Sequence, residues 1–309
     1  MSASITIDLD GVRHYHAIHG LAQPQGNDPV VERGLARFLE LCDRACVSST
    51  IFVVGADLND DAIASLIKRA ARAGHEIASH SFAHAYDLSR HERGDIDHDL
   101  EASIAAIARV VGAKPVGFRA PGYNISEPLL DGMERAGFAY DSSVMQSPPY
   151  FVARAAHVAL QRLKRAPSSS IVGSARAFWA PRDPYRPARG AAWREAKSRV
   201  EGRDVVELPI ATLPGGLPLF GTSLAMLPSS AAAAYTALAA HRSRQSCVLE
   251  LHAIDLCDDS DGFDATLISQ RKDLDVPAAR KLERFAAVFR VLAQAHDVRT
   301  LREVAESVA

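Results

Sequence analysis

Residues 78–84 read Ala-Ser-His-Ser-Phe-Ala-His and place His80 and His84 four residues apart, directly after a short strand-like run. Four residues make about one helical turn, so on such a turn both imidazoles would point the same way. Neutral imidazole is a good ligand for a divalent metal, and metal sites often take two ligands from one short segment. The pair alone is weak evidence for a metal site, because a chain with 12 histidines shows such a spacing by chance. Its meaning depends on the residues around it.

The first strand brings two carboxylates to one place. Residues 4–9 alternate polar and apolar side chains and are rich in β-branched residues, which predicts a strand. This strand ends in Asp8-Leu9-Asp10-Gly11, and side chains two apart on a strand share a face. Two carboxylates on one face are costly unless a cation or a proton lies between them. The alternative reading is a helix cap and a turn aspartate.

Strands and helices alternate along the chain in a way typical of α/β proteins. Further strands are predicted at 50–54, 75–78, 116–118, 138–140, 204–208 and 246–251, with helices at 30–45, 60–73, 95–111, 126–136, 229–242 and 277–295. Such alternation favours parallel strands with crossover helices. Arg119 follows the fourth strand and His252 the seventh. A closed or nearly closed barrel would bring these strand ends to one face, in a single domain spanning residues 1–309.

Together, these strand-end residues include the types of side chain that a metal-dependent hydrolase uses. One carboxylate and two imidazoles can hold a catalytic metal and leave positions open for water and substrate. The second carboxylate is then free to act as a general base, and His252 can act as a general acid. Arg119 can hold the base aspartate ionised through a bidentate contact.

Five short motifs, in order, resemble those of the polysaccharide deacetylase family, also called the NodB-homology or carbohydrate esterase family 4 deacetylases. They are Asp8-Leu9-Asp10, His80-Ser81-Phe82-Ala83-His84, Arg119-Ala120-Pro121-Gly122-Tyr123, Asp141-Ser142-Ser143 and Leu251-His252. The resemblance spans residues 4 to 308. It implies a distorted (β/α)₇ barrel that removes an N-acyl group.

The resemblance also assigns roles to single residues. It implies that Asp10, His80 and His84 hold one divalent metal, with zinc expected and cobalt, nickel or manganese as alternatives. Asp8 would take a proton from the attacking water, and His252 would protonate the leaving amine. A backbone N–H near Gly122 and Tyr123 would bind the oxyanion. Separately, Tyr123 and Leu251 are expected to line the pocket.

The chain departs from the family pattern at two points. Leu9 separates two aspartates that are adjacent in the common form of the first motif, although some branches use this spacing. The acid that usually tunes the acid histidine is not evident, and Asp255 and Glu207 are the two candidates. Residues 208–214 and the pair His252-Ala253 are similar to the branch that deformylates a lipid-linked formamido-arabinose.

Residues 145–200 interrupt the alternation and are predicted to be a basic, Pro-rich insertion. Between 142 and 200 there are 11 lysines and arginines against two acids. Its stretch 150–165 is amphipathic with a basic edge, and it predicts either an ordinary barrel helix or a dock for an anionic partner or a membrane surface. Trp179 and Trp193 could stack on a sugar or pack in the core.

Composition excludes some classes of function. The net charge of −2 and the pI of about 6.6 do not favour nucleic-acid binding. No signal peptide or membrane-spanning run is recognised, and the four cysteines lack zinc-ribbon spacing, so we expect a cytoplasmic protein that could contact the inner face of the membrane. His14, His16 and His19 are expected to be solvated loop residues, with contact between one of them and substrate as the alternative. The oligomeric state stays open.

The expected function is metal-dependent hydrolysis of an acetyl or formyl amide on an amino sugar, on a lipid-linked or nucleotide-linked glycan precursor at the cytoplasmic side. The alternatives are an allantoinase-like hydrolase of a non-sugar C–N bond and a catalytically silent glycolipid-binding protein. The full set Asp8, Arg119 and His252 speaks against the silent protein, since binding alone needs none of them.

Overall fold

The structure is a computed structural model that describes residues 1–24, 26, 28–163 and 171–308, without the side chains of His157 and Arg162. Lys164 and Arg165, which the sequence places at the basic edge of the insertion, lie outside these residues. None of the helices in the described ranges is long and apolar enough to span a bilayer.

A curled parallel sheet forms the centre of the fold. The strands of the structure are β1 (Ser2–Leu9), β2 (Thr50–Val53), β3 (Glu76–Ser79), β4 (Gly117–Phe118), β5 (Tyr140–Asp141), β6 (Pro187–Ala188), β7 (Ala191–Glu195), β8 (Val206–Glu207), β9 (Ser246–His252) and β10 (Asp297–Val298). The strand order in the central sheet is β10-β1-β2-β3-β4-β5-β8, and β9 also pairs with β1 in parallel. Strand β1 pairs with β9 from Ser2 onward and with β2 from Thr6 onward.

The two ends of the sheet meet just beyond β8. Ile210 forms a parallel bridge with Val248 of β9, and the N–H of Ala211 donates to the carbonyl oxygen of Val248 at 3.0 Å. Seven parallel segments therefore surround one interior, with β10 beside the start of β1. The prediction of a distorted (β/α)₇ barrel is confirmed.

Helices cover the outside of the sheet. They are α1 (Val12–His19), α2 (Ala36–Ala45), α3 (Asp61–Arg72), α4 (Arg93–Val111), α5 (Glu127–Ala136), α6 (Pro148–Leu163), α7 (Gly221–Met226), α8 (Ser229–Arg242), α9 (Ala265–Gln270), α10 (Ala278–Ala295) and α11 (Leu301–Val308). Helix α1 was not predicted from the sequence. The helix predicted at 30–45 begins as a π-helical segment, Val30–Leu35, before α2.

Successive side chains of β1 point alternately into the core beneath the helices and into the barrel interior. On β1, Ile5 and Ile7 belong to a core shared with helix residues such as Phe38 and Phe289. Alternate residues Thr6 and Asp8 point to the other face, where both contact Arg119. The barrel interior thus carries polar groups where β1 ends.

The opposite end of the barrel is closed by apolar packing. Phe52 and Val248, from two strands, form one buried cluster with Leu301 and Val304 of α11. This apolar base lies beneath Arg119, whose guanidinium carbon is 4.1 Å from the centre of the Phe52 ring. These apolar side chains keep water from the face of the Arg119 guanidinium that lies against Phe52.

The insertion has a regular structure in its described parts. It contains α6, a short 3₁₀ turn Ala175–Trp179 and an antiparallel hairpin, β6 with β7. Trp179 is 84% exposed, which rules out core packing for it, whereas Trp193 packs against two apolar clusters. That the chain forms one domain stays a prediction.

Candidate metal centre and active site

The three predicted ligands meet at the carboxyl end of the barrel strands. Asp10 Oδ1 lies 3.2 Å from His80 Nε2 and 3.0 Å from His84 Nε2, and all three side chains are buried. Their ligand atoms lie within 4.8 Å of one another. Asp10 Oδ1 and His84 Nε2 have no hydrogen-bond partner among the described residues. Buried polar atoms that converge without bonding each other fit the donor set of a divalent cation.

The two histidines converge on a tight loop rather than on a helical turn. Ser81 and His84 have left-handed backbone conformations, with φ of 63° and 55°. The carboxylate of Asp99 accepts the N–H groups of Phe82 and Ala83 at 2.9 and 3.0 Å, which holds this tight loop. A buried acid outside the motif therefore holds the loop that brings the two imidazoles together.

The electrostatics favour a neutral His84 and an ionised Asp10. Burial alone would raise the pKa of Asp10, but His84 and His80 outweigh it and bring the pKa well below its usual range. Burial lowers the pKa of His84 to about 4 despite Asp10. His80 Nδ1 contacts the carbonyl oxygen of Arg119 at 2.8 Å, which leaves Nε2 facing Asp10. Such a backbone contact fixes the tautomer of a metal-binding histidine.

Asp8 is held by a buried arginine but keeps one oxygen free. Asp8 Oδ1 accepts a hydrogen bond from Arg119 at 2.7 Å. The same guanidinium donates to Thr6 Oγ1 at 3.0 Å and, through two other nitrogens, to the carbonyl and hydroxyl oxygens of Ser142. The predicted bidentate contact is therefore wrong, since the other donors serve Thr6 and Ser142. Asp8 Oδ2 is buried without a hydrogen-bond partner among the described residues.

His252 lies beside this group and has a partner that the sequence did not reveal. Its Nδ1 is 2.8 Å from Glu250 Oε1, and its Nε2 is 3.6 Å from Asp10 Oδ2. Burial would lower the pKa of His252, but Glu250 raises it well above its ordinary value. The candidates Asp255 and Glu207 do not fill this role. Asp255 accepts the backbone N–H of His252, and Glu207 accepts the N–H of Val144.

Glu250, Asp8 and His252 also bring donor atoms within 4.8 Å of one another. Glu250 could have been found by the rule that identified Asp8, because an acid two residues before His252 on the same strand shares its face. The same alternation turns Leu251 away. Leu251 is fully buried in the core beneath the helices, so its predicted place in the pocket wall is wrong.

Asp8, Asp10, His80 and His252 line a cavity of about 450 Å³. Its aromatic walls are Tyr15, Tyr86, Tyr123, Tyr150 and Phe220, and Gly122, Arg154 and Arg271 also line it. The N–H of Tyr123 already donates to the carbonyl oxygen of Ala120 at 2.9 Å. Gly122 and Tyr123 reach the cavity as expected, and their role as oxyanion donors stays a prediction.

The histidines after the first motif are placed differently from the prediction. They lie on α1, where His14 and His16 are buried and His19 is half-buried. The His14 ring is 4.1 Å from the ring of His84, and its Nε2 is 3.6 Å from Asp57 Oδ2. The prediction of solvated loop residues is wrong for His14 and His16, because α1 turns back over the strand ends.

Two further acids, Asp141 and Glu207, are fully buried and lie next to each other. Burial raises the pKa of Asp141 to about 6 and the pKa of Glu207 well above its usual range. The Asp141 carboxyl raises the pKa of Glu207 further, whereas a hydrogen bond with Glu207 partly offsets the rise in the pKa of Asp141. Asp141 Oδ2 and Glu207 Oε2 have no other hydrogen-bond partner among the described residues. Ser143 Oγ donates to Asp141 Oδ1 at 2.5 Å and accepts the N–H of Ala120 at 2.8 Å. The third motif of the predicted site is thus anchored, through Ser143, on a buried pair of acids whose pKa values are both raised.

This pair predicts how stability depends on pH. A carboxyl with a raised pKa in the folded state stabilises fully below its unfolded pKa, and this contribution is lost as the pH rises through the folded pKa, here from about 4 to about 6 and above. In Glu207→Gln the amide can accept the N–H of Val144 and donate to an ionised Asp141. We expect its free energy of unfolding to fall less between pH 4.5 and 7.5 than that of the wild type, by about 1 kcal/mol or more.

Urea denaturation at both pH values measures this difference. The control is Glu283→Gln, which removes an exposed carboxylate on α10 and should leave the wild-type slope with pH unchanged. Equal slopes for Glu207→Gln and the wild type would show that the pair does not retain a proton.

Comparison with known proteins adds a family resemblance to this geometry. Residues 27–140 match the sequence model of the polysaccharide deacetylase family. This segment contains His80, His84 and Arg119, whereas Asp8, Asp10 and His252 lie outside it. A peptidoglycan deacetylase of Helicobacter pylori is 28% identical over 123 residues, which are 39% of this chain and 41% of that protein.

A second relative is the peptidoglycan deacetylase-like protein FGM2 of Gibberella zeae. It is 31% identical over 115 residues, 36% of this chain and 32% of that protein. The aligned part of the chain therefore spans less than half the length of either relative.

Two solved structures superpose along nearly the whole chain. A protein of Pseudomonas aeruginosa PAO1, described as a probable polysaccharide deacetylase, gives a TM-score of 0.59 at 17% identity and covers 99% of this chain and 89% of that one. A Mycobacterium smegmatis protein, provisionally assigned as a polysaccharide deacetylase, gives 0.58 at 21%, with the same coverage. At these identities the superpositions show the fold. The resemblance to the polysaccharide deacetylases is confirmed, and the similarity to the formamido-arabinose branch stays a prediction.

Proposed function

Since the chain resembles the polysaccharide deacetylases in sequence and in fold, we propose that it hydrolyses an N-acyl amide on an amino sugar with the help of one divalent cation. A single observation carries the proposal. Asp10, His80 and His84 converge beside an aspartate with a free oxygen and a histidine whose pKa is raised, and four of these five residues line one cavity. This arrangement contains a cation site, a base and an acid, which amide hydrolysis needs together.

The cation would be held by Asp10 Oδ1 and the Nε2 atoms of His80 and His84. When bound it supplies a Lewis acid, which acidifies water and polarises a carbonyl oxygen. Three protein ligands with an open side, mixed imidazole and carboxylate, suit zinc, which we propose as the native metal.

The side chains of this chain provide the proton transfers. Asp8 Oδ2 can accept a proton from the attacking water, because Arg119 occupies only Oδ1 and keeps the carboxylate in place. His252 can donate a proton to the leaving amine, and Glu250 maintains the protonated imidazole needed for this. An amine leaves poorly unless it is protonated, so a separate acid is required.

We further propose that the sugar is carried on a lipid and that the protein works at the inner face of the membrane. Helix α6 supports this, because Val152, Leu160 and Leu163 are exposed on it, at 63%, 47% and 81%. Exposed apolar side chains beside a basic segment are typical of interfacial helices. Amino-sugar or glycolipid substrates are the partners that this proposal requires.

Release of the acyl acid tests the function. The zinc-loaded protein should release acetate or formate from N-acetyl or N-formyl amino sugars, lose this activity after chelation and regain it with zinc. Turnover that survives complete removal of metal would contradict the proposal.

A further inference from the structure

Arg154 carries a positive charge into the cavity, and no acid in the described part of the chain forms an ion pair with it. Its side chain is 9% exposed and lines the same cavity as Asp10 and His252. No carboxylate of the described residues lies within ion-pair distance of its guanidinium, and its Nε is buried without a hydrogen-bond partner among them. Burying an unpaired charge is expensive, so such a group usually meets a counter-ion when it functions.

The other two arginines of the cavity region are already paired. Arg119 contacts Asp8 at 2.7 Å, and Arg271 donates to both carboxylate oxygens of Asp273 at 2.9 and 2.7 Å. Arg154 differs because its Nη1 donates to neutral acceptors, the carbonyl oxygen of Gly122 at 2.8 Å and the hydroxyl of Tyr150 at 3.3 Å. The charge of Arg154 is therefore available to a ligand.

The position of Arg154 relative to the metal-binding residues suits a group attached to the same sugar. The ring of Tyr86 lies 5.0 Å from the ring of His84, and the guanidinium carbon of Arg154 lies 5.6 Å from the Tyr86 ring. One aromatic side chain thus separates Arg154 from the metal-binding residues. Gly122 allows this approach, since a Cβ there would come within 2.6 Å of an Arg154 nitrogen.

We propose that Arg154 determines substrate specificity by binding an oxyanion, a carboxylate or a phosphate, that the amino sugar carries near its acylamino group. This inference rests on the proposed function and adds the charge of the substrate to it. Guanidinium binds both groups through paired N–H donors, and a hydrogen bond to a charged partner is worth about 10- to 100-fold in affinity.

Three probes on one sugar scaffold test the proposal. They are the neutral methyl glycoside of N-acetylglucosamine, N-acetylglucosamine 1-phosphate and N-acetylmuramic acid, which carries a carboxylate. With zinc-loaded wild type, kcat/KM should be at least about 10-fold higher for one anionic probe than for the neutral one. Whichever anionic probe is preferred identifies the phosphate or the carboxylate as the bound group.

Variants separate binding of an anion from support of the loop. In Arg154→Gln the preference for the anionic probe should disappear through a higher KM, while kcat/KM for the neutral probe changes less than about threefold; Arg154→Lys should recover part of the preference. Arg176→Gln, an exposed residue of the same insertion, is the matched control and should behave as wild type. Equal losses on all probes in Arg154→Gln would show a purely structural role and overturn the proposal, as would a wild type without charge preference.

A binding measurement keeps this proposal separate from the function. Calorimetry with zinc-loaded protein compares glucosamine 1-phosphate, muramic acid and methyl glucosaminide, which contain no amide to cleave. If wild type turns over none of the three substrates but binds an anionic sugar about 10-fold more tightly than the neutral one, and Arg154→Gln abolishes that difference, the anion site stands and the deacylase function fails. Equal binding of charged and neutral sugars would refute the anion site.

Discussion

Asp10→Ala should abolish metal binding and amide hydrolysis together, with metal content falling from one ion per chain to near zero and kcat/KM by about 10³-fold or more. Replacing groups that only orient metal ligands costs 10- to 100-fold, so removing one of three ligands should cost more. Asp10 is also the carboxylate that both His80 and His84 face. Elemental analysis and acetate release measure the two losses on the same sample.

The control for this variant is Asp87→Ala, which removes an exposed carboxylate beside His91. It should keep its metal and its activity. The thermal midpoint of Asp10→Ala in the absence of metal should lie close to that of metal-free wild type. If the variant retains one tightly bound ion, Asp10 is not a ligand and the proposed centre is wrong.

Asp8→Asn should keep the metal and lose the chemistry. The amide oxygen of asparagine can still accept the hydrogen bond from Arg119, but it cannot take a proton from water, so we expect kcat to fall by about 10²- to 10⁴-fold with little change in KM. The charge of Arg119 then lacks its acid, and the free energy of unfolding should fall by about 3 kcal/mol. Activity is therefore measured well below the thermal midpoint of the variant.

This variant also distinguishes two possible metal sites. Asp8, Glu250 and His252 form a second group of converging donor atoms. A metal bound there would be lost from Asp8→Asn, whereas a metal bound by Asp10 and the two histidines would be retained. Loss of metal from Asp8→Asn with retention in Asp10→Ala would move the centre to the second group.

The sequence predicted the barrel and the site residues for one physical reason. Parallel strands end at one edge, so polar residues after successive strands meet there, as Asp8, His80, Arg119 and His252 do. The alternation of side chains along a strand also explains two errors of the sequence analysis. Glu250 was missed although it shares the face of His252, and Leu251 was placed in the pocket wall although it must point to the other face.

Long-range packing accounts for the other differences. That α1 turns back and packs His14 against His84 depends on contacts with Asp57, which lies more than 40 residues away. The lone charge of Arg154 could not be recognised either. Its isolation depends on where the fold places the acids of the described ranges, and the insertion that carries it has no recognised motif.

The most direct test of the central claim is a crystal of the zinc-loaded protein measured on both sides of the zinc absorption edge. The anomalous difference map should show one strong peak between Asp10 Oδ1, His80 Nε2 and His84 Nε2, at bonding distances of about 2.0–2.2 Å. A peak between Asp8, Glu250 and His252 instead, or no peak within this cavity, would contradict it.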